Sequence, residues 1–109
     1  MLEPLLGSTS SERVLLFLFA REEGYPREIA RFFDTDLAPI QRQLIKLEIN
    51  GILSSRVVGR TRLYRLNPRY AFKTEVEALL ARALEFYPAE EKEKLLLNRR
   101  RPRRSGKPL

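Results

Sequence analysis

The chain has 109 residues, of which 43% are hydrophobic, so it can bury the core of one domain and no more. It has no cysteine and no histidine, which excludes a disulfide framework and the usual zinc ligands and removes the commonest general base. No apolar run approaches the ~20 residues of a membrane span. We therefore expect a cytoplasmic protein that needs no metal ion and no cofactor.

The net charge of +7 is concentrated in two stretches of the chain. Residues 52–72 carry a net +5 and residues 99–109 a net +6, whereas the segments 1–51 and 73–98 are each slightly acidic. Such basic stretches attract phosphate backbones, and the acid-free stretch 52–72 favours a nucleic-acid partner. The tail 99–109 has too little apolar content to fold around and is predicted to be disordered; it could equally serve solubility. The composition as a whole is typical of a thermophile.

The first long helix is predicted to follow the hydroxyl-rich segment 8–11, which offers several N-caps, and to end near Arg21. Its apolar face is formed by Val14, Leu15, Phe17 and Leu18. Leu16 and Phe19 lie on the opposite side, so the helix is apolar on both faces. We expect one face to pack against the helix's own domain and the other against the C-terminal helix or a second subunit. The serines have no histidine or suitable lysine beside them, so we expect no catalytic nucleophile.

Residues 29–53 contain two apolar-faced runs separated by the polar turn Asp34-Thr35-Asp36. In the second run Ile40, Leu44 and Leu47 recur at helical spacing. Asp36 stands at the N-cap position, Pro39 at the third helical position and Gly51 at the exit. Two helices joined in this way form a helix-turn-helix, whose second helix, about residues 37–50, can enter a DNA major groove.

A hairpin follows, with strands 53–58 and 61–66 around Gly59-Arg60 and with Tyr64 and Leu66 expected to face the core. Thr74-x-x-Glu77 is a capping-box pattern for a further helix, and Pro88 can start the last one. We predict a domain at 1–72, C-terminal helices at 73–98 that mediate dimerisation, and the basic tail at 99–109.

A helix-turn-helix followed by a basic hairpin resembles the winged-helix regulators of the arsenical-repressor (ArsR-type) and MarR-type superfamily. The resemblance is carried by residues 27–30, 43–53 and 59–68, and it is closer still to the small winged-helix modules beside minimal nucleotidyltransferases. It implies a mostly α fold with a small β-hairpin (α+β), namely a winged helix-turn-helix with extra C-terminal helices. It also implies a homodimer formed through the first and C-terminal helices.

The resemblance further implies contacts to double-stranded DNA. The expected DNA-binding residues are Ala38, Pro39, Gln41, Arg42 and Lys46 on the helix and Arg56, Arg60 and Arg62 on the hairpin, or wing. Gln41 is suited to adenine, Arg42 to guanine and Lys46 to phosphate, while the wing would meet the backbone or the minor groove. The expected function is that of a sequence-specific transcriptional regulator acting as a homodimer, and not that of an enzyme.

An alternative is a protein-interaction module whose partner is another protein, such as a nucleotidyltransferase. Pro39 stands where relatives commonly carry a hydroxyl group, and Leu37, Ile45 and Ile49 form an apolar stripe where relatives are usually polar. We favour packing of this stripe against the wing or an adjacent helix, because single exposed apolar residues are ordinary. The other interpretation is a surface that faces a protein.

Overall fold

The computed structural model describes residues 1–97, so the predicted tail 99–109 lies outside the described residues. The elements in chain order are α1 (Glu3–Leu6), α2 (Thr9–Arg21), α3 (Pro26–Phe32), α4 (Leu37–Ile49), β1 (Leu53–Val58), β2 (Thr61–Leu66), α5 (Lys73–Glu85) and α6 (Ala89–Leu97). The two strands form one antiparallel sheet. This architecture confirms the expected mostly helical fold with a small hairpin. The four-residue α1 was not predicted.

Helix α2 is the centre of the core, since residues 14–18 are all buried and the helix contacts every other helix and β2. Ser8 caps it by accepting a hydrogen bond of 3.0 Å from the Ser11 N–H, as the hydroxyl-rich segment predicts. Leu80 of α5 and Leu95 of α6 belong to the same buried cluster. The sequence predicts that the second face of α2 is buried by the C-terminal helix or by a second subunit. In the structure, the C-terminal helices α5 and α6 pack against α2.

A buried arginine joins the end of α2 to the end of α6. The Nε of Arg21 donates to the carbonyl of Leu95 at 3.2 Å and its Nη2 to that of Lys94 at 3.1 Å. The guanidinium also lies over the rings of Phe17 and Phe32, 4.8 and 4.9 Å from their centroids. Carbonyls in the last turn of a helix lack partners within it, so Arg21 satisfies two groups that burial would otherwise penalise.

The helix-turn-helix has the buried face and the turn conformations that its sequence predicts. Ile40, Leu44 and Leu47 are buried on one face of α4. Asp34 adopts the expected left-handed backbone with φ 53°, and Gly51 leaves the helix with φ 81°. These features place α4 across α2 and α3 with its opposite face free.

One predicted helix cap is wrong, and another is confirmed in its position but not in its hydrogen bond. Asp36 occupies the N-cap of α4, but its exposed side chain accepts no capping hydrogen bond. Helix α5 begins at Lys73 with Phe72 as N-cap, so Thr74 already lies inside the first turn and cannot cap it. Glu77 instead accepts a hydrogen bond of 2.9 Å from the Nζ of Lys73. The helix thus starts two residues earlier than the sequence pattern places it.

The wing has the predicted strands, with a register that runs from Leu53 opposite Leu66 to Val58 opposite Thr61. Tyr64 is buried as expected, and Leu66 packs partly buried against the core. The N–H of Gly24 donates to the Tyr64 carbonyl at 3.0 Å, and the Tyr64 N–H donates to the Gly24 carbonyl at 2.8 Å. This backbone pair fastens β2 to the linker between α2 and α3 and so sets where the wing lies.

We expect Gly24→Ala to lower the free energy of unfolding by about 1–3 kcal/mol, the usual cost of overpacking a filled core. An added Cβ would lie 2.6 Å from Cε1 of the Phe17 ring, which is shorter than a non-bonded contact between two carbon atoms. Urea unfolding followed by circular dichroism measures the loss. The same change made in a Phe17→Leu background should cost less, because the clashing ring atoms are gone. An equal loss of stability in both backgrounds would show that a clash with Phe17 is not the cause.

The linker between α5 and α6 is held by a buried carboxylate. Glu12 of α2 accepts a hydrogen bond from the Tyr87 hydroxyl and another of 2.7 Å from the Leu2 N–H. Burial, with the Glu12 hydrogen bond and charge, raises the pKa of Tyr87 well above its ordinary value of 10.0. Burial also raises the pKa of Tyr64. Both phenols therefore keep their protons in the folded protein at pH values where the unfolded chain releases them.

This difference predicts a loss of stability in alkaline solution. Below pH 10.0, the ordinary pKa of Tyr87, its phenol stays protonated in both folded and unfolded states, and above it the unfolded state gains by ionising. The free energy of unfolding should fall by less than about 1.4 kcal/mol per pH unit for this residue, because one phenol releases at most one proton. Urea titrations between pH 8 and 11 should show a shallower decline for Tyr87→Phe. An unchanged decline in that variant would exclude Tyr87 as its source.

Candidate functional site

The outward face of α4 carries the residues that the sequence singles out. Ala38, Gln41, Arg42 and Lys46 are exposed, and Pro39 is partly exposed. The opposite face is occupied by the core, so these side chains are the ones that a ligand lying along α4 would meet.

A groove of about 340 Å³ lies between the start of α3, the middle of α4 and the wing. Its lining residues are Tyr25, Pro26, Arg27, Gln41, Ile45, Arg60, Thr61, Arg62 and Tyr64. Three of these are arginines and none is acidic. The structure thus brings Gln41, Arg60 and Arg62, three of the predicted residues, into one basic groove.

Arg27 is a lining residue that the sequence argument missed. It is exposed in the first turn of α3, next to Pro26, and belongs to the segment that carries the family resemblance. The available signal was a basic residue at an exposed helix start. What the sequence does not show is that β2 pairs with Gly24 and so brings the wing beside this turn.

Other predicted residues lie elsewhere. Ala38, Pro39 and Arg42 are not among the residues that line the groove, and Lys46 lines a second groove between α1, α4 and α5. The Nη2 of Arg56 lies 3.3 Å from Oε2 of Glu23 in a surface ion pair. A phosphate at Arg56 would therefore compete with a carboxylate that already neutralises it.

The three residues of the apolar stripe on α4, Leu37, Ile45 and Ile49, differ in how far they are buried. Leu37 is partly buried against the core, as we favoured. For Ile45 and Ile49 that interpretation is wrong, because their side chains are 52% and 78% exposed. The face of α4 that meets the core is filled by Ile40, Leu44 and Leu47, and the wing stands far enough from α4 to leave a groove at Ile45.

The electrostatics of the groove favour an anion. Burial, reinforced by the charge of Glu48, raises the pKa of Tyr64 and outweighs the opposing charge of Arg62. The Tyr64 phenol is therefore neutral at physiological pH and adds no negative charge beside the arginines. Arg62 is also oriented, since its Nη1 donates to the Ser55 hydroxyl at 2.9 Å.

Within residues 1–97, no cluster of three or more acidic, cysteine or histidine side chains could bind a metal ion. In the same part of the chain, no helix combines the length and apolar character needed to cross a membrane.

No known protein-family model and no curated protein matches the sequence. The fold, in contrast, matches solved structures. A mutant of MarR from E. coli superposes with a TM-score of 0.60 and 18% identity, over 89% of this chain and 69% of that one. The adhesin competence repressor (AdcR) from Streptococcus pyogenes superposes with a TM-score of 0.55 and 14% identity, over 81% and 73%. A mutant of ZitR from Lactococcus lactis superposes with a TM-score of 0.50 and 19% identity, over 80% and 67%.

At these identities the likeness establishes the fold, which is the winged helix of MarR-type proteins. The MarR-type part of the sequence resemblance is thereby confirmed for the fold. The resemblance to arsenical-repressor proteins and to modules beside nucleotidyltransferases gains no support from these structures.

Proposed function

We propose that the chain is a transcriptional regulator that binds double-stranded DNA with α4 in the major groove and the wing on the adjacent backbone or minor groove. The observation that carries the proposal is the acid-free groove in which Gln41 of α4 faces the same space as Arg60 and Arg62 of the wing. A helix and a basic hairpin that share one concave surface can engage a base edge and its flanking phosphates together. The fold is also that of a protein described as a repressor.

The residues divide into two roles under this proposal. Gln41 and Arg42, exposed in the first half of α4, contact base edges, because their side chains make bidentate hydrogen bonds with adenine and guanine. Arg27, Arg60 and Arg62 neutralise phosphates and hold the helix in register. Ala38 and Pro39 allow close approach of the helix start, and Lys46 and Arg56 contact phosphates at the edges of the footprint.

We further propose that the active species is a homodimer. Helix α2 is enclosed by its own chain, so a partner would pack on the outer faces of α1, α5 and α6. Large apolar side chains are exposed there, among them Leu5 and Phe86. A two-fold dimer would present its α4 helices about 34–36 Å apart, one turn of DNA, to a pseudo-palindromic site.

The decisive experiment is a selection of duplexes from a random pool at low salt, followed by affinity measurements over a range of salt concentrations. We expect an enriched two-fold-symmetric sequence and a steep linear fall of log K with log[salt]. Light scattering should give a mass twice the 12.8 kDa of the chain. If no sequence is enriched in the pool, the proposal of a sequence-specific regulator is refuted, even if the chain binds DNA non-specifically.

Exposed apolar side chains on α4 and the wing favour a second candidate, the protein-interaction module. Ile49 is 78% exposed, and Val57 and Val58 of the wing are also exposed. A partner such as a nucleotidyltransferase would cover this surface and block α4. Purification from native lysate should then yield a stoichiometric complex that Ile49→Ser disrupts and that duplex DNA cannot join. A complex that forms equally well with Ile49→Ser would rule out this surface.

A further inference from the structure

Ile45 is an apolar side chain in an otherwise polar and basic groove. It is 52% exposed, and it lines the groove together with Gln41, one helical turn earlier, and with Arg27, Arg60 and Arg62. Exposing apolar surface to water costs about 25 cal/mol per Å². Single exposed apolar residues are ordinary, but this one lies among arginines in a groove, where it suits a ligand that offers an apolar group close to anionic groups.

Duplex DNA offers such a group. In the major groove the only apolar feature of a base edge is the C5-methyl of thymine, and apolar side chains contact it. The three arginines that line the same groove suit the phosphates of such a ligand. We infer that Ile45 reads a thymine methyl, and that it does so within the DNA-binding mode proposed above, on which this inference rests.

The spacing of Gln41 and Ile45 gives the inference a position in the DNA site. Residues four apart on a helix are displaced by about 6 Å along its axis, whereas consecutive base pairs are about 3.4 Å apart. If Gln41 pairs with an adenine, the methyl that Ile45 meets belongs to a thymine one or two base pairs away. The site should thus contain an adenine and a thymine in close succession in each half.

The test uses deoxyuridine, which pairs as thymine does but lacks the methyl. Each thymine of the selected site is replaced in turn, and the affinity of the full chain is measured at constant salt. For the wild type, one thymine in each half-site should give about fourfold weaker binding, the loss of one buried methyl. For Ile45→Ala, binding to the thymine site should be weaker and the replacement of that thymine should have no effect.

Ile49→Ala is the matched control. It changes the same residue type on the same helix, at a side chain that is more exposed and is not a lining residue of the groove. This variant should keep the fourfold preference for thymine. Both variants should melt within a few degrees of the wild type, because surface substitutions usually change stability by no more than about 0.5 kcal/mol.

Three results would overturn the inference. The thymine preference could persist in Ile45→Ala, it could disappear in Ile49→Ala, or no uridine position could affect the wild type although a specific site exists. In all three cases the regulator itself would stand. Failure of the selection to yield any sequence is different, because it would remove the proposed function and this inference with it.

Discussion

Replacing Phe17 with alanine is expected to lower the free energy of unfolding by about 3–5 kcal/mol, the usual cost of deleting a buried aromatic ring. Phe17 is fully buried in α2. Its ring meets that of Phe32 edge to face, with centroids 5.6 Å apart, and lies beneath the Arg21 guanidinium. The substitution therefore removes contacts to α3 and to the residue that holds α6. For a domain of about 5–15 kcal/mol total stability, the loss is large.

Urea unfolding followed by circular dichroism measures this loss, and Phe86→Ala is its control. Phe86 is 64% exposed, and the Arg82 guanidinium lies 5.2 Å from the centroid of its ring. Its replacement should cost no more than about 1 kcal/mol. Similar losses for the two variants would mean that Phe17 does not occupy the centre of the core.

The second large effect is expected in DNA binding. Replacing Arg60 and Arg62 together with alanine should weaken binding of the proposed homodimer to the selected duplex about ten-thousandfold, because four charge-assisted hydrogen bonds, two in each subunit, contribute at least about 1.5 kcal/mol each. The slope of log K against log[salt] should become shallower by about four, one unit for each lost phosphate contact. Both side chains lie in exposed parts of the wing, so the fold should persist.

Arg82→Ala is the matched control for charge. Arg82 is exposed on α5, where its Nη1 lies 2.8 Å from the Glu85 carboxylate, and it is not a lining residue of the groove. Its loss should leave the affinity and the salt slope nearly unchanged. Adding Arg27→Ala to the wing pair should flatten the slope by about two further units, one for each subunit. If the Arg82 and wing variants weaken binding equally, the positive charge acts diffusely and the groove is not the site.

Local sequence patterns predicted the regular elements well. The spacing of Ile40, Leu44 and Leu47 identified α4 and its buried face, and Gly59-Arg60 between β-rich runs located both strands. These elements follow from periodicity and turn chemistry, which are properties of a few consecutive residues. The wrong cap at Thr74 shows the limit of such patterns, since a shift of two residues at a helix start changes which side chain can reach the free N–H groups. Asp36 stands at the predicted N-cap position, but its side chain makes no capping hydrogen bond.

The candidate site was less predictable because it depends on contacts between distant segments. Arg27 enters the groove only through the pairing of Gly24 with Tyr64, which no local pattern reveals. Arg56, a predicted phosphate contact, forms a surface ion pair with Glu23, which is also distant in sequence. The exposure of Ile45 likewise depends on where the wing lies. Residue types identified the candidate chemistry, and tertiary contacts decided which residues share a surface.

The hydrogen bonds of Arg21 have a consequence for biosynthesis. Its carbonyl partner Leu95 lies 74 positions further along the chain, so the ribosome must synthesise all the intervening residues before this arginine meets its partner. The nascent helix-turn-helix therefore leaves the exit tunnel with that cation still hydrated, and burial of the cation waits for α6. A translation product that stops before residue 95 would lack both carbonyl partners and expose the guanidinium and the rings beneath it, which favours aggregation or degradation.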